Sequence, residues 1–154
     1  VWLPRGLGVD RGALPSGSGA AVIRLYLFTA GVLLSAEALW LGLFAGKLFR
    51  KEVGHLVRPD FSLGPAAVFY MIYVAGILVF AVLPGIEARQ LHRSVALGAF
   101  LGMVAYSTFD LTSMAVFKGF PLRLALVDIA WGACVTAAVS AAGYGIGRYL
   151  GLGD

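Results

Sequence analysis

Four long, nearly uninterrupted apolar stretches divide the chain, covering about residues 22–46, 65–82, 94–117 and 122–147. Each is of the length that crosses a hydrocarbon core roughly 30 Å thick at ~1.5 Å rise per residue. Within lipid every backbone N–H and C=O needs an internal partner, so spans of this length are helical. The first stretch also has to be weighed against a cleaved signal peptide. Such a peptide carries an apolar core of only about 7–15 residues, whereas this stretch is longer and contains Glu37. Short polar intervals separate the spans: KLFRKEVGHLVRPDFSLG, IEARQLHR and KGFP. Pro84-Gly85 is expected to close the second span. Pro121 is expected in the first turn of the fourth, where its missing N–H leaves no bond unmade. Connections this short make consecutive helices antiparallel neighbours. The pattern predicts an all-α integral membrane four-helix bundle occupying residues 21–154. Residues 1–20, rich in Pro, Gly and Ser and without periodicity, are expected to be a disordered tail.

Composition agrees. Hydrophobic residues make up 60% of the chain and charged residues 13%, with a mean hydropathy of +0.88. Soluble domains carry about a quarter charged residues, so lipid must be the solvent for much of this surface. The net charge of +4 does not mark a nucleic-acid binder, because the basic residues sit in short groups beside the apolar stretches, as membrane proteins place them. The partner implied is the bilayer, with the bacterial inner membrane as the expected location. The counts of Lys and Arg favour cytoplasmic 1–2 and 3–4 loops, which hold Lys47, Arg50, Lys51, Arg58, Lys118 and Arg123. Both termini are then outside. Cys134 is the single cysteine, which excludes an intrachain disulfide and makes neither a zinc site nor a redox pair.

Three of the acidic residues fall inside the spans: Glu37, Asp110 and Asp128. Ionisable groups at membrane depth mark a functional site or a buried polar contact. Counted from Lys47, Lys118 and Pro121, the three lie at similar depth, ~10–15 Å from one membrane face. Tyr70 and Tyr73 enter the same layer from the second span, and Tyr106 and Thr112 flank Asp110. Trp40 and Trp131 each follow an acid by three residues, which sets indole and carboxyl on one helix face. No Lys, Arg or His lies deep in a span, so protonation, Tyr, Thr or Trp donors, or a bound cation must relieve the repulsion among these acids. His55 and His92 lie in loops on opposite sides and cannot join one metal site. No metal or cofactor is expected.

Three readings are open. The layer can be a polar pocket for a small amphiphile, lipid or ion. It can be interhelical glue in a structural or accessory subunit. It can also serve an intramembrane lipid-modifying enzyme, although no nucleophile–base pair is visible, which argues against catalysis. Small residues at i, i+4 spacing permit close helix approach: Gly42 with Gly46, Gly98 with Gly102, and the set Ala138, Ala142, Gly143 and Gly147.

Several of these strings carry a resemblance. LWLGLFAGKLFRKEVGHL, AVFYMIYVAGILVFAVLP and AYSTFDLTSMAVFKGFPLRLALVDIAWGACVTAAVSAAGY resemble the small bacterial membrane proteins of domain-of-unknown-function family 2177. The likeness covers about residues 33–144. It implies an intrinsic four-helix membrane protein and supplies no activity, substrate or catalytic residues. Where the family's first span carries Asp, this chain has Glu37, which keeps the charge and adds a methylene.

Four spans set one testable topology. A reporter fused after Asp154 and one inserted near Gly64 are expected on opposite sides of the membrane. Finding both on one side would remove an odd number of crossings.

Overall fold

The computed structural model describes residues 18–55 and 62–153. Four helices are long and apolar enough to cross a membrane: Gly19–Val53, Leu63–Glu87, Leu91–Val116 and Leu122–Tyr149. No strand occurs among the described residues. Most of the expected tail lies outside them, as does the part of the 1–2 connection that holds Arg58. Helix begins at Ser18, so the last three residues of that expected tail are helical.

Two helices run further than the apolar pattern suggested, and both contain a π-helical turn. The first is α-helical over Ser18–Trp40, π-helical over Leu41–Ala45, and α-helical again over Gly46–Val53. Much of what reads as a polar loop is therefore an amphipathic continuation of the span. The second helix has its π turn over Leu78–Val82 and then continues through Pro84-Gly85 to Glu87. Proline ends an α-helix by clashing with the carbonyl four residues back and by withholding an N–H. Here the wider turn comes just before it, with the Leu83 N–H donating to Leu78 O, five residues back. The ladder is already shifted where Pro84 enters, and the helix survives it.

The second helix ends in a Schellman turn. Gln90 N–H donates to Gly85 O and Arg89 N–H to Ile86 O, with Arg89 in the left-handed region at φ 53°. The fourth helix ends the same way through Gly151, at φ 77°, with Leu152 N–H on Gly147 O and Gly151 N–H on Arg148 O. The Arg89 guanidinium donates to Gly153 O, tying the 2–3 turn to the end of the chain. At the opposite face Pro121 sits at the N-cap of the fourth helix, one position ahead of its first turn. Its carbonyl accepts from Ala125 N–H.

Apolar side chains face both ways. Leu25, Leu33, Ile77, Val82, Leu124 and Val139 are fully or almost fully enclosed, while Ile23, Leu39, Phe44, Ile72, Phe80 and Phe100 are exposed. A helix apolar on all sides suits a bilayer, where the exposed set meets acyl chains.

The third and fourth helices form the closest pair. Their seam is built from Gly98 and Gly102 against Gly132, Thr136 and Ser140: a Cβ on Gly98 would strike Ser140, and one on Gly102 the Gly132 carbonyl. Of the small-residue set read from the fourth span, Gly143 and Gly147 are in close contact, but with Val82 of the second helix, Ile86 beyond its π turn, and the first helix. Ala138 is exposed. The seam lies on a neighbouring stripe because Thr136 and Ser140 are small enough to serve, and both positions take a hydrogen bond from another helix. Tyr73 and Thr136 hydroxyls pair at 2.7 Å, and Ser94 Oγ–H donates to Ser140 O at 3.1 Å.

Gly102→Ala should therefore destabilise the protein by about 1–3 kcal/mol, since the obstacle is backbone. Gly145→Ala meets nothing within 4 Å and should be neutral or gain up to about 1 kcal/mol of helix propensity. Thermal unfolding of both variants in detergent tests the contrast.

Candidate functional site

The seam between the third and fourth helices sets up the polar layer. The ring of Tyr106, one turn beyond Gly102, lies over Gly132, where any Cβ would collide with it. Because that position is a glycine, the phenol reaches past the fourth helix and donates to Glu37 Oε1 of the first, at 2.5 Å. Trp131, next to Gly132, donates its indole N–H to the same oxygen at 3.3 Å. Trp40 follows Glu37 on the same helix face and stacks on Trp131, with ring centroids 4.5 Å apart and planes within 7°. Glu37 is thus buried, 6% exposed, and held by donors from two other helices.

A partly open cleft of about 540 Å³ lies beside it. The first helix contributes Glu37, Trp40, Leu41 and Phe49 to its lining, and the second contributes Phe69 and Tyr70. The third presents Tyr106, Thr108 and Phe109, and Asp128 comes from the fourth. The two carboxyls at its wall differ. Glu37 has its two donors, whereas Asp128, 8% exposed, approaches the Trp40 indole without closing a hydrogen bond, and the Trp40 N–H is left buried with no acceptor.

Of the nine residues singled out from the sequence, Glu37, Trp40, Tyr70, Tyr106, Thr112 and Asp128 line this cleft. The Thr112 hydroxyl is turned back on its own helix, donating to Thr108 O and Phe109 O. Trp131 stands just behind the lining, on Glu37 and Trp40. Tyr73 points elsewhere, into the seam on Thr136. Asp110 lies close enough to Asp128 to feel its charge but is not in the cleft wall. It shares the buried stripe of Ser94, Gly98 and Gly102, which turns it into the helix interface. There it is fully enclosed, and neither carboxyl oxygen has a hydrogen-bond partner. Asp110 thus lies within reach of the charge of Asp128, and Asp128 within reach of that of Glu37. Among the described residues no group of three His, Cys, Asp or Glu is placed to hold a metal ion.

Sequence reasoning missed Phe49, Phe69 and the positioning glycine, Gly132. For Gly132 the signal was its place between Trp131 and the interface stripe. For Phe49 there was none, because the π turn changes the helix phase between it and Glu37.

Removing the phenol tests the central contact. Tyr106→Phe should cost about 1.5–3 kcal/mol, the range for a hydrogen bond to a charged group. In a double-mutant cycle with Glu37→Gln the two losses should be strongly non-additive. Additive effects in detergent unfolding would mean that the pair does not act together.

A family model described as "Predicted membrane protein (DUF2177)" matches residues 22–145 of this 154-residue chain. No curated protein and no solved structure matches it. The match takes in all four helices from inside the first to near the end of the last, together with every residue of the acid-bearing layer. The protein is a multi-pass membrane protein that belongs to the DUF2177 family.

Proposed function

We propose that this protein binds a small amphiphile within the membrane, with the polar head in the acid-lined cleft and the tail among apolar side chains. One observation carries the reading: Asp128 stands at the cleft wall, more than nine-tenths buried, with only the Trp40 indole drawn towards it. A carboxyl at membrane depth is costly unless something satisfies it, and a ligand head in the cleft would do so. Room for a tail adjoins it. A second cavity of about 410 Å³, between the first and second helices, is lined by Tyr26, Leu34, Leu63, Met71 and Val74, and shares Tyr70 with the cleft. A site with one polar and one apolar compartment suits a molecule of the same division.

The structural-glue reading is favoured by Glu37, whose two donors make it a satisfied interhelical tie. It leaves Asp110, Asp128 and the Trp40 N–H without a role. As for location, an all-helical spanning architecture suits the inner membrane of a bacterium, since outer membranes are populated by β-barrels.

Filling the cleft tests the proposal. Thr108 is exposed and lines it, so Thr108→Trp should block the head compartment with little effect on folding. Native mass spectrometry of protein extracted in a maltoside detergent should show an amphiphile adduct on the wild type, reduced severalfold in the variant. Identical adduct patterns at equal thermal stability would overturn the reading.

A further inference from the structure

We infer that the head group taken by the cleft is an organic cation, an ammonium carried by the amphiphile; this rests on the amphiphile-binding reading above. Three features point the same way. First, the charge is one-sided. Glu37 and Asp128 stand in the wall, Asp110 lies within reach of the charge of Asp128, and among the described residues no Lys, Arg or His lines the cleft. An anionic head would stand against two acids with no cationic side chain beside it, and a neutral one would leave their field uncompensated. Second, the rest of the wall is aromatic. Trp40, Phe69, Tyr70, Tyr106 and Phe109 surround the acids, and the faces of such rings attract cations, most strongly where water is excluded.

The third feature separates an organic cation from a metal ion. Glu37 Oε1 already accepts from Tyr106 and Trp131, and among the described residues no three ligating groups stand together. A compact metal ion needs several oxygens within one small shell. An ammonium group with alkyl substituents is wide, needs no such shell, and is satisfied by one or two carboxylates together with ring faces. Asp128 is the acid left for it, standing in the cleft wall with the Trp40 indole beside it.

The test compares amphiphiles that differ only in head charge. The chain holds three tryptophans, so Trp2→Phe leaves the emission of Trp40 and Trp131, both at the site, as the signal. Full-length protein in neutral maltoside micelles is titrated with dodecyltrimethylammonium and with dodecyldimethylphosphine oxide, whose head is similar in size and uncharged. The cation should saturate the signal at roughly tenfold lower concentration or better, and Asp128→Asn should abolish the preference. Should that variant fail to fold, Tyr70→Leu, which removes a ring from the wall, should weaken the cation and not the neutral probe. Equal saturable binding of both probes would overturn the cation inference and leave the amphiphile reading standing. Saturation by neither would overturn both. Competition with phosphatidylcholine then assigns the source: displacement identifies a lipid head group as the natural occupant, and its absence a lipophilic cation from outside the bilayer.

Discussion

A carboxyl group finds no solvent in hydrocarbon, and the polar layer of this protein follows from that constraint at Glu37. Left facing lipid, such a side chain costs about 2.5–3.5 kcal/mol on insertion scales. The donors that satisfy it come from far along the chain, Tyr106 in the third helix and Trp131 in the fourth. Both can reach it only because those two helices approach to backbone contact. Gly102 admits the Gly132 carbonyl, and Gly132 in turn admits the Tyr106 ring. Packing and polar chemistry therefore depend on each other. The glycine seam sets the height and rotation at which the phenol emerges, and the carboxylate gives that rotation a reward.

The same logic recurs along the bundle in weaker form. Tyr73 with Thr136, and Ser94 with the Ser140 carbonyl, are neutral pairs of the kind that contribute about 1 kcal/mol or less between membrane helices. They fix the rotation of the second and third helices against the fourth. Asp110 and the Trp40 N–H break this economy of matched partners, as does the Ser140 hydroxyl within the seam. The first two lie in the layer of Glu37 and Asp128, which the proposed ligand site occupies.

The sequence made the four crossings legible because bilayer thickness forces a long apolar run for each. The shared depth of Glu37, Asp110 and Asp128 was legible for a related reason: the short KGFP turn pins the third and fourth helices at one height, and counting residues from it needs no knowledge of rotation. Rotation itself was hidden. Whether Asp110 faced the cleft or the interface depended on which stripe of the third helix met the fourth, and that was decided by Thr136 and Ser140 rather than by the more conspicuous alanines at 138 and 142. Helix ends were misjudged where charge was taken to end a span. Lys47, Arg50 and Lys51 lie on the polar side of a continuing amphipathic helix, and Pro84 follows a turn wide enough to receive it. No residue pattern announces a π turn, so the phase of everything beyond one was out of reach.

That phase ties the cleft wall to the width of one turn. A π turn holds one residue more than the α repeat can place, so the helix beyond Leu41–Ala45 is turned by about 100° from where an unbroken α-helix would put it. Phe49 lines the cleft and Val53 is buried because of that offset. Deleting any one residue of the five would let the segment relax into regular helix. Phe49 would then keep its bearing on the cleft, because the residue lost is the one the wide turn had absorbed, whereas a regular helix formed with all five residues retained would swing it off. Among proteins of this kind, a one-residue gap at this point would therefore leave the cleft wall in place, while a gap of one residue beyond the turn, between Ala45 and Phe49, would turn Phe49 away.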